Sequence, residues 1–463
     1  MRKLSYCILI ILTGCTTYHP QPIVPAQLVQ QFESRSLDSE DLHQYIQREL
    51  GQNIAWPLPH WNREMLTLAA FYYSPTLDIA RAQATTSQAG VDVARAIPNP
   101  VLQLPSQYAS NAASDSSPWT LGFALDIPIE TAHKRGYHIA QASHLSQAAR
   151  LNLSNEIWNV SAQVRDALLT LYAARERITL LSQQVLAEQQ IAAMSRKRLA
   201  VGQFSRPEVN AALLADTQAQ SDLAAARNAE QNALAALAAV IGVPVSTLKQ
   251  LDFDFSVITS PPIVPSTEMQ QQAIFQRADL LASLANYAAA ESTLQLEVAK
   301  QYPDIHLGPG YTYDMGTHKI AFGLAGISLP IFDQNQGGIH LAEAQRKEAA
   351  ARTTALQDKI LADLAQALSR YQSSQQAMQL AIHSQSIAQQ QLNSQSHAFH
   401  AGNLDRLSYT QAQVAYQTSQ LNTLDAKVNV MQSAALLEDA LQRNLDHGIF
   451  TQKKTTRMGG FAQ

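Results

Sequence analysis

The sequence is poor in the residues on which many functional classes depend. Its 463 residues include only two cysteines, Cys7 and Cys15, and charged side chains make up just 15% of the chain. Two cysteines this close to the N-terminus form neither a zinc-ligand pattern nor a disulfide framework. The net charge of −4 gives no basic excess, so nucleic acid is not expected as a partner.

Signatures of catalysis are missing as well. The sequence has no Gly-rich phosphate loop, no His-Glu-x-x-His helix and no Gly-x-Ser-x-Gly nucleophile turn. Its 13 histidines are scattered. His397 and His400 could share a helix face, but they fit a solvated polar surface better than a metal site. We therefore expect no enzyme activity, no cofactor and no metal ligands.

Long apolar runs are absent beyond the N-terminus. The nearest candidate, 233–245, is interrupted by Gly242 and Pro244. A transmembrane helix needs roughly 20 apolar residues, so none is predicted after the first segment. Any insertion of the mature chain into a membrane must then use β-strands.

The N-terminus has the features of a secretory signal. Arg2 and Lys3 precede a short apolar run over 4–12, which predicts a signal peptide over 1–14. The tetrapeptide 12–15 resembles the bacterial lipobox, and this resemblance implies cleavage before Cys15 and lipid attachment to its thiol. An alternative is a plain signal peptide with an incidental cysteine. Thr16 stands where an Asp would favour retention at the inner membrane, so the pattern points to the outer membrane.

In the rest of the chain, the same order of predicted elements occurs twice. A lipid-anchored tether over 15–60 is followed by a first repeat over 61–247, a crossing linker over 248–265 and a second repeat over 266–446; 447–463 is expected to be a disordered tail. An internal duplication is indicated by landmarks that recur in the same order. The paired landmarks are Pro128 and Pro330, Gly136 and Gly338, and Gly202 and Gly402.

Each repeat predicts a helix, a β-hairpin and a long helical hairpin. The first helices are expected over 63–97 and 267–301, and the β-hairpins over about 101–129 and 304–331. The strands alternate apolar with small or polar residues, with a bulge expected near Ala325-Gly326. The helical hairpins, about 137–241 and 338–444, have apolar residues at coiled-coil spacing. The leading helix of each hairpin would be about 95 Å long. The fold class is therefore mainly α with a small β part.

Four strands with one apolar face cannot close a membrane barrel alone, because small single-chain barrels have about eight strands. Open strand edges are not tolerated in lipid. Several copies of the chain must therefore pool their strands. Three copies would give about 12 strands, continued below by a tube of packed helices.

Three segments of the sequence resemble the TolC-type outer-membrane factors, in particular the CzcC-like branch that serves cation efflux. They are Ile97-Pro98-Asn99-Pro100, then Ile127-Pro128-Ile129-Glu130, and the run from Leu329 to Gly338. The resemblance extends over nearly all of the chain between Trp61 and Leu445. It implies a homotrimer in outer-membrane lipid, with a 12-stranded barrel continued by an α-helical barrel.

The resemblance also implies partners and a function. A periplasmic adaptor and an inner-membrane pump would dock on the helical tube, and the chain would be the exit duct of a tripartite efflux system, with cations favoured as cargo. A drug-efflux duct or a type I protein-secretion duct of the same fold stays open. A lipid-anchored coiled-coil scaffold without a pore is a third alternative.

Candidate site residues follow from the same resemblance. The tips of the helical hairpins would contact the adaptor and line the closed entrance. The tip residues are Val201, Gly202, Gln203, Phe204, Ser205, Arg206 and Glu208 in the first repeat, and Ala401, Gly402, Asn403, Leu404, Asp405 and Arg406 in the second. We expect Ser205 and Asp405 to cap the returning helices. Phe204 and Leu404 are apolar where a free tip would be polar, which favours a partner.

The closed gate is expected to depend on ion pairs, Arg206 with Asp405 or Arg406 with Glu208. In the family, acids six and nine residues after the second tip glycine form a constriction. This chain departs from that pattern, because Ser408 and Gln411 stand at those positions. Glu208 is the remaining nearby acid.

The exits from barrel to helix are the second group of candidate residues. They are Pro128, Glu130, Gly136, Pro330, Asp333, Asn335 and Gly337. Proline is expected to end the strand ladder because it has no N–H donor. Asp333 and Asn335 are expected to cap the following helix, and Gly337 to permit the bend.

Overall fold

The structure is a computed structural model that describes residues 17–111, 116–256 and 262–445. The predicted signal peptide, the predicted lipidation site Cys15 and the tail over 447–463 lie outside these residues. Most of the described residues are helical. A small antiparallel sheet lies next to the N-terminal ends of the two longest helices.

The helices are numbered in chain order. They are α1 Pro25–Glu33, α2 Glu40–Leu50, α3 Arg63–Tyr73, α4 Pro75–Arg95, α5 Lys134–Ala200, α6 Arg206–Ile241, α7 Val245–Leu248, α8 Thr267–Phe275, α9 Ala278–Ala299, α10 Gln336–His400 and α11 Arg406–Leu441. The predicted end of the first helical hairpin, at residue 241, is confirmed by the end of α6. With 67 residues, α5 is about 100 Å long. Among the described residues, no helix is both long and apolar enough to cross a membrane.

Two predicted single helices are wrong, because each is divided. The helix predicted over 63–97 breaks where Ser74 is extended (ψ 120°). Proline has no N–H and disfavours helical geometry in the preceding residue, so Pro75 can only begin a new helix. The helix predicted over 267–301 is divided into α8 and α9 at Gln276 and Arg277.

The strands of the sheet are arranged in four antiparallel rows. One row is a single long strand, and each of the others contains two short strands. The strands are β1 Val101–Gln103, β2 Ser106–Tyr108, β3 Trp119–Ile129, β4 Ile305–Leu307, β5 Gly310–Asp314, β6 Thr317–Ala321 and β7 Leu324–Ile327. One side of β3 pairs with β1 and β2, and its other side pairs with β4 and β5. Beyond these, β6 pairs with β5 and β7 with β4. The two hairpins therefore form a meander that, within the described residues, has two open edges.

The predicted bulge is confirmed. His306 pairs with Gly326, but the next residue, Leu307, pairs with Leu324, so Ala325 is the extra residue.

The two faces of the sheet differ in polarity. Leu121 and Phe123 lie opposite Tyr313 and Tyr311 on one face. The side chains of Leu121 and Phe123 remain 48% and 50% exposed in the single chain. The alternate residues of β3, from Thr120 to Asp126, form a small and polar face. A large exposed apolar patch of this kind marks a surface that contacts a partner or lipid.

The hydrophobic core lies at the middle of the long helices. Leu168 and Leu171 of α5 pack with Leu237 of α6 and Leu437 of α11, all of them fully buried. The linker reaches the same level, because Phe253 forms a parallel bridge with Trp61. We call this level the waist. On the side of the waist nearer the sheet, α4 and α9 pack on α5. On the side nearer the hairpin tips, α5 packs on α6 and α11.

Candidate functional site

Each helical hairpin reverses at its tip through a glycine, as predicted. Gly202 has a φ of +74° and Gly402 a φ of +77°, a region that suits residues without a Cβ. In the first tip the N–H of Gln203 donates to the carbonyl of Arg198 at 2.8 Å, and in the second Asn403 donates to Ala398 at 2.8 Å. The duplicated sequence therefore produces the same turn twice.

The acidic side chains near the tips accept hydrogen bonds at the first turns of the returning helices. The N–H and the hydroxyl of Ser205 both donate to Glu208 Oε2, at 2.6 and 2.7 Å. These bonds lower the pKa of Glu208, the backbone bond having the larger effect. Asp405 accepts the N–H of Ser408 at 2.7 Å, which confirms the predicted cap.

One ion pair joins the two tips within the chain. Arg198 Nη2 donates to Asp405 Oδ2 at 2.6 Å, and the guanidinium of Arg198 lies 5.3 Å from the centre of the Phe204 ring. The predicted pairs, Arg206 with Asp405 and Arg406 with Glu208, are not formed within the described single chain. Asp405 is bound to a residue at the end of α5, and Glu208 to its own cap. The apolar Phe204 has an in-chain contact, so its presence alone does not call for a partner.

The tip link is expected to be insensitive to mild acidification. The hydrogen bond from Arg198, then the N–H of Ser408, lower the pKa of Asp405 to about 2. The stabilisation by Asp405 is thus fully present above its ordinary pKa of 3.8 and is lost only as the pH falls towards 2. Spin labels at Val201 and Ala401 should keep their distance between about pH 8 and pH 5. A distance that grows near pH 6 would mean that another group controls the tips.

The tip link is the last of three positions along the seam between α5 and α11 at which an arginine is paired with an acid in the described residues. Nearer the waist, Arg177 is paired with Asp425. At the waist, Arg165 donates to Glu438 and Asp439, at 2.9 Å each. Every arginine of these pairs is on α5, and every acid is on α11 or caps its start, so the pairs follow the antiparallel register of the two helices. This seam is not predictable from the sequence, because neither helix alone determines the register between the two.

The exits from sheet to helix share an unexpected geometry. His133 precedes α5 with a φ of 62° and Asn335 precedes α10 with a φ of 59°, so both lie in the left-handed region. The third residue of each helix is a glycine, Gly136 or Gly338, because a Cβ there would lie 2.4 Å from the side chain of His133 or Asn335. The duplication therefore preserves a steric requirement.

Several predicted roles at the exits are corrected. The Asn335 side chain does not cap α10; its Nδ2 donates to the carbonyl and Oε2 of Glu297, at 2.8 Å each. Asp333 accepts the N–H of Asn335 at 2.8 Å rather than one from the helix. Gly337 does not form the bend, because the left-handed residue is Asn335.

The prolines and charges complete the exits. Pro128 lies inside β3, paired with His306, so it does not end the ladder as predicted. Pro330 lies after the end of β7 at Ile327. Glu130 is exposed. At the first exit, Lys134 Nζ donates to the carbonyl of Tyr302 at 2.6 Å and to Asp304 Oδ1 at 2.7 Å.

Adjacent glycines at the second exit should respond oppositely to alanine. Gly338→Ala places a methyl group against Asn335 and Glu297, and we expect it to destabilise the fold by about 1–3 kcal/mol. Gly337→Ala meets no atom within 4 Å and removes a flexible residue from a helix, so it should stabilise by about 0.5–1 kcal/mol. Thermal unfolding of the two variants, followed by circular dichroism, compares them. Similar shifts for both would contradict the steric explanation.

Comparisons with known proteins agree with this geometry. The family model described as "Outer membrane efflux protein" matches residues 66–243 and 269–442, one segment in each half. The cobalt-zinc-cadmium resistance protein CzcC of Cupriavidus metallidurans is 25% identical over 374 residues, which cover 79% of this chain and 86% of that protein.

Solved structures share the fold. The outer membrane protein VceC of Vibrio cholerae superposes with a TM-score of 0.68 at 19% identity, covering 83% of this chain and 97% of that one. The open state of the MtrE outer membrane channel of Neisseria gonorrhoeae gives a TM-score of 0.66 at 17% identity, covering 84% of this chain and 91% of that one.

Proposed function

Because this chain belongs to the outer membrane efflux protein family, we propose that it is the outer-membrane exit duct of a tripartite system that exports heavy-metal cations. The structure of the sheet is the observation that supports the proposal of a duct. Its apolar face is exposed, its opposite face is small and polar, and both edges are open in the described residues. This arrangement fits a wall between lipid and an aqueous lumen.

The open edges support a trimer. A sheet inserted in lipid must satisfy its edge N–H and C=O groups, which three copies achieve by closing one barrel of about 12 strands. The edge formed by β1 and β2 of one copy would pair with the edge formed by β6 and β7 of the next. The long helical hairpins, one pair per repeat, would then form the tube below it. A scaffold without a pore would have no use for the exposed apolar face.

The tips are the proposed contact for a periplasmic adaptor, and the pump behind it would select the cargo. Val201, 69% exposed, is the most accessible apolar side chain at the first tip. Metal cations are favoured as cargo because the relative CzcC is named for cobalt, zinc and cadmium resistance. A lipid on Cys15 remains part of the proposal and would tie the assembly to the outer membrane.

Conductance tests the duct. The full-length purified protein should form stable channels in planar lipid bilayers and sediment as a trimer in detergent. A variant that lacks 103–125 should keep its helices by circular dichroism but form no channels. A protein that stays monomeric, or channels that survive this deletion, would contradict the proposed barrel.

Growth tests the cargo. A host strain without this chain should become sensitive to cobalt, zinc and cadmium, and the chain supplied in trans should restore resistance. Sensitivity to drugs alone would assign the duct to drug efflux, and loss of a secreted protein alone to protein secretion. A Cys15→Ser variant that still incorporates labelled palmitate would remove the lipid anchor from the proposal.

A further inference from the structure

The polar face of the sheet carries a histidine in an arrangement typical of metal ligands. His306 Nδ1 lies 2.8 Å from Asp126 Oδ1, across the junction between the two hairpins. His306 pairs directly with Pro128, and Asp126 is two residues before Pro128, so both side chains are on the polar face. Their side chains are 39% and 26% exposed.

This hydrogen bond fixes the form of the imidazole. An ionised carboxylate can only accept, so Nδ1 of His306 must carry the proton and donate it to Asp126. In the neutral ring Nε2 then holds the free lone pair. Among the described residues nothing is hydrogen-bonded to Nε2. Metal-binding histidines commonly have this second contact, because a carboxylate fixes the ring and makes the other nitrogen a stronger ligand.

Space on the polar face is available next to the ring. The cross-strand neighbours of His306 are Pro128 on one side and Gly326 on the other. A Cβ at Gly326 would meet no atom within 4 Å, so the surface beside His306 is open. The nearby acid Asp304 is already bound to Lys134 at 2.7 Å.

We propose that His306, oriented by Asp126, is a transient binding site for divalent transition-metal cations on the lumen face of the duct. This rests on the proposed function, which places the polar face of the sheet towards the lumen. A single nitrogen ligand with one supporting carboxylate leaves most coordination positions to water. The described residues contain no cluster of three or more metal-ligating side chains. Weak binding suits a passage, because a cation must be released as readily as it is bound.

Block of ion current by Zn²⁺ tests the site. Channels of the full-length protein in planar bilayers, carrying K⁺, should lose current as Zn²⁺ is added. His306→Ala should raise the half-blocking Zn²⁺ concentration by about tenfold or more, and Asp126→Asn by about 10-fold. His306→Gln serves as a second variant that keeps a polar side chain, should the alanine variant fail to assemble.

The chain offers a matched control. His318 is in the same sheet, but it pairs with Tyr313 on the apolar face and its Nδ1 contacts the hydroxyl of Tyr311. His318→Ala should leave Zn²⁺ block unchanged. Channels without Zn²⁺ block, or block that persists in both His306 variants, would overturn this site while leaving the duct intact. A wild-type protein that forms no channels would instead overturn the proposed function.

Discussion

Replacing Glu438 with alanine is expected to lower the free energy of unfolding by about 3–5 kcal/mol, because it removes the buried carboxylate that Arg165 and Arg63 share. The side chains of Glu438 and Arg165 are only 4% and 5% exposed. Glu438 Oε2 accepts from Arg165 at 2.9 Å and from Arg63 at 3.4 Å. Its Oε1 accepts the N–H of Leu445 at 2.9 Å, which fixes the chain after α11.

The same seam provides the control for this prediction. Asp425 is paired with Arg177, also between α11 and α5, but these side chains are 48% and 44% exposed. Exposed pairs contribute only about 0–1 kcal/mol, so Asp425→Ala should have little effect. Thermal or urea unfolding of the detergent-solubilised protein, followed by helical circular dichroism, would measure both. Equal small losses would show that the waist cluster does not stabilise the fold.

A third variant separates charge from hydrogen bonding at the waist. Glu438→Gln keeps an oxygen that can accept from Arg165 but removes the negative charge. We expect its loss of stability to lie between those of Glu438→Ala and Asp425→Ala, since hydrogen bonds to charged groups contribute about 1.5–3 kcal/mol. A loss as large as that of Glu438→Ala would assign the whole effect to charge.

Much of this architecture could be predicted because its signals are local and repeated. The apolar spacing of α5 and α6 continues over many turns, and the tip at Gly202 interrupts it where the chain must reverse. The alternation in β3 likewise identifies its apolar face. Duplication strengthens each of these signals, because an element seen in one half is expected in the other.

The sequence does not determine which partner a polar side chain has when tertiary contacts decide it. Asp405 has arginines nearby in sequence and in the opposite tip, and only the register of α5 against α11 selects Arg198. Asn335 has the composition of a cap, but its left-handed backbone turns its amide towards Glu297. From the sequence alone, Glu438 would be placed on the exposed face of an amphipathic helix. In the structure it is buried, because Arg165 and Arg63 both contact it.

Replacing Arg198 with alanine is expected to raise the conductance of the resting channel several-fold. Arg198 is the in-chain link between the two tips, through Asp405 at 2.6 Å and the ring of Phe204 at 5.3 Å. Its side chain is 29% exposed and that of Asp405 46%, so the ion pair contributes only about 0–1 kcal/mol. In the proposed trimer, three such weak links at the tips would suit an entrance that the proposed adaptor opens. Loss of all three should shift the tips towards the open arrangement.

Two further variants decide whether the link itself is responsible. Arg206→Ala removes a nearby tip arginine for which the described residues show no ion pair, so its single-channel conductance should equal that of the wild type. Exchanging the charges, Arg198→Asp together with Asp405→Arg, should restore the low resting conductance, because the attraction is rebuilt in reverse. If Arg206→Ala opens the channel as much as Arg198→Ala, the gate depends on the total charge of the tips. If the exchanged pair stays open, closure also needs the contact of Arg198 with Phe204 or the cap that Asp405 provides to the N–H of Ser408.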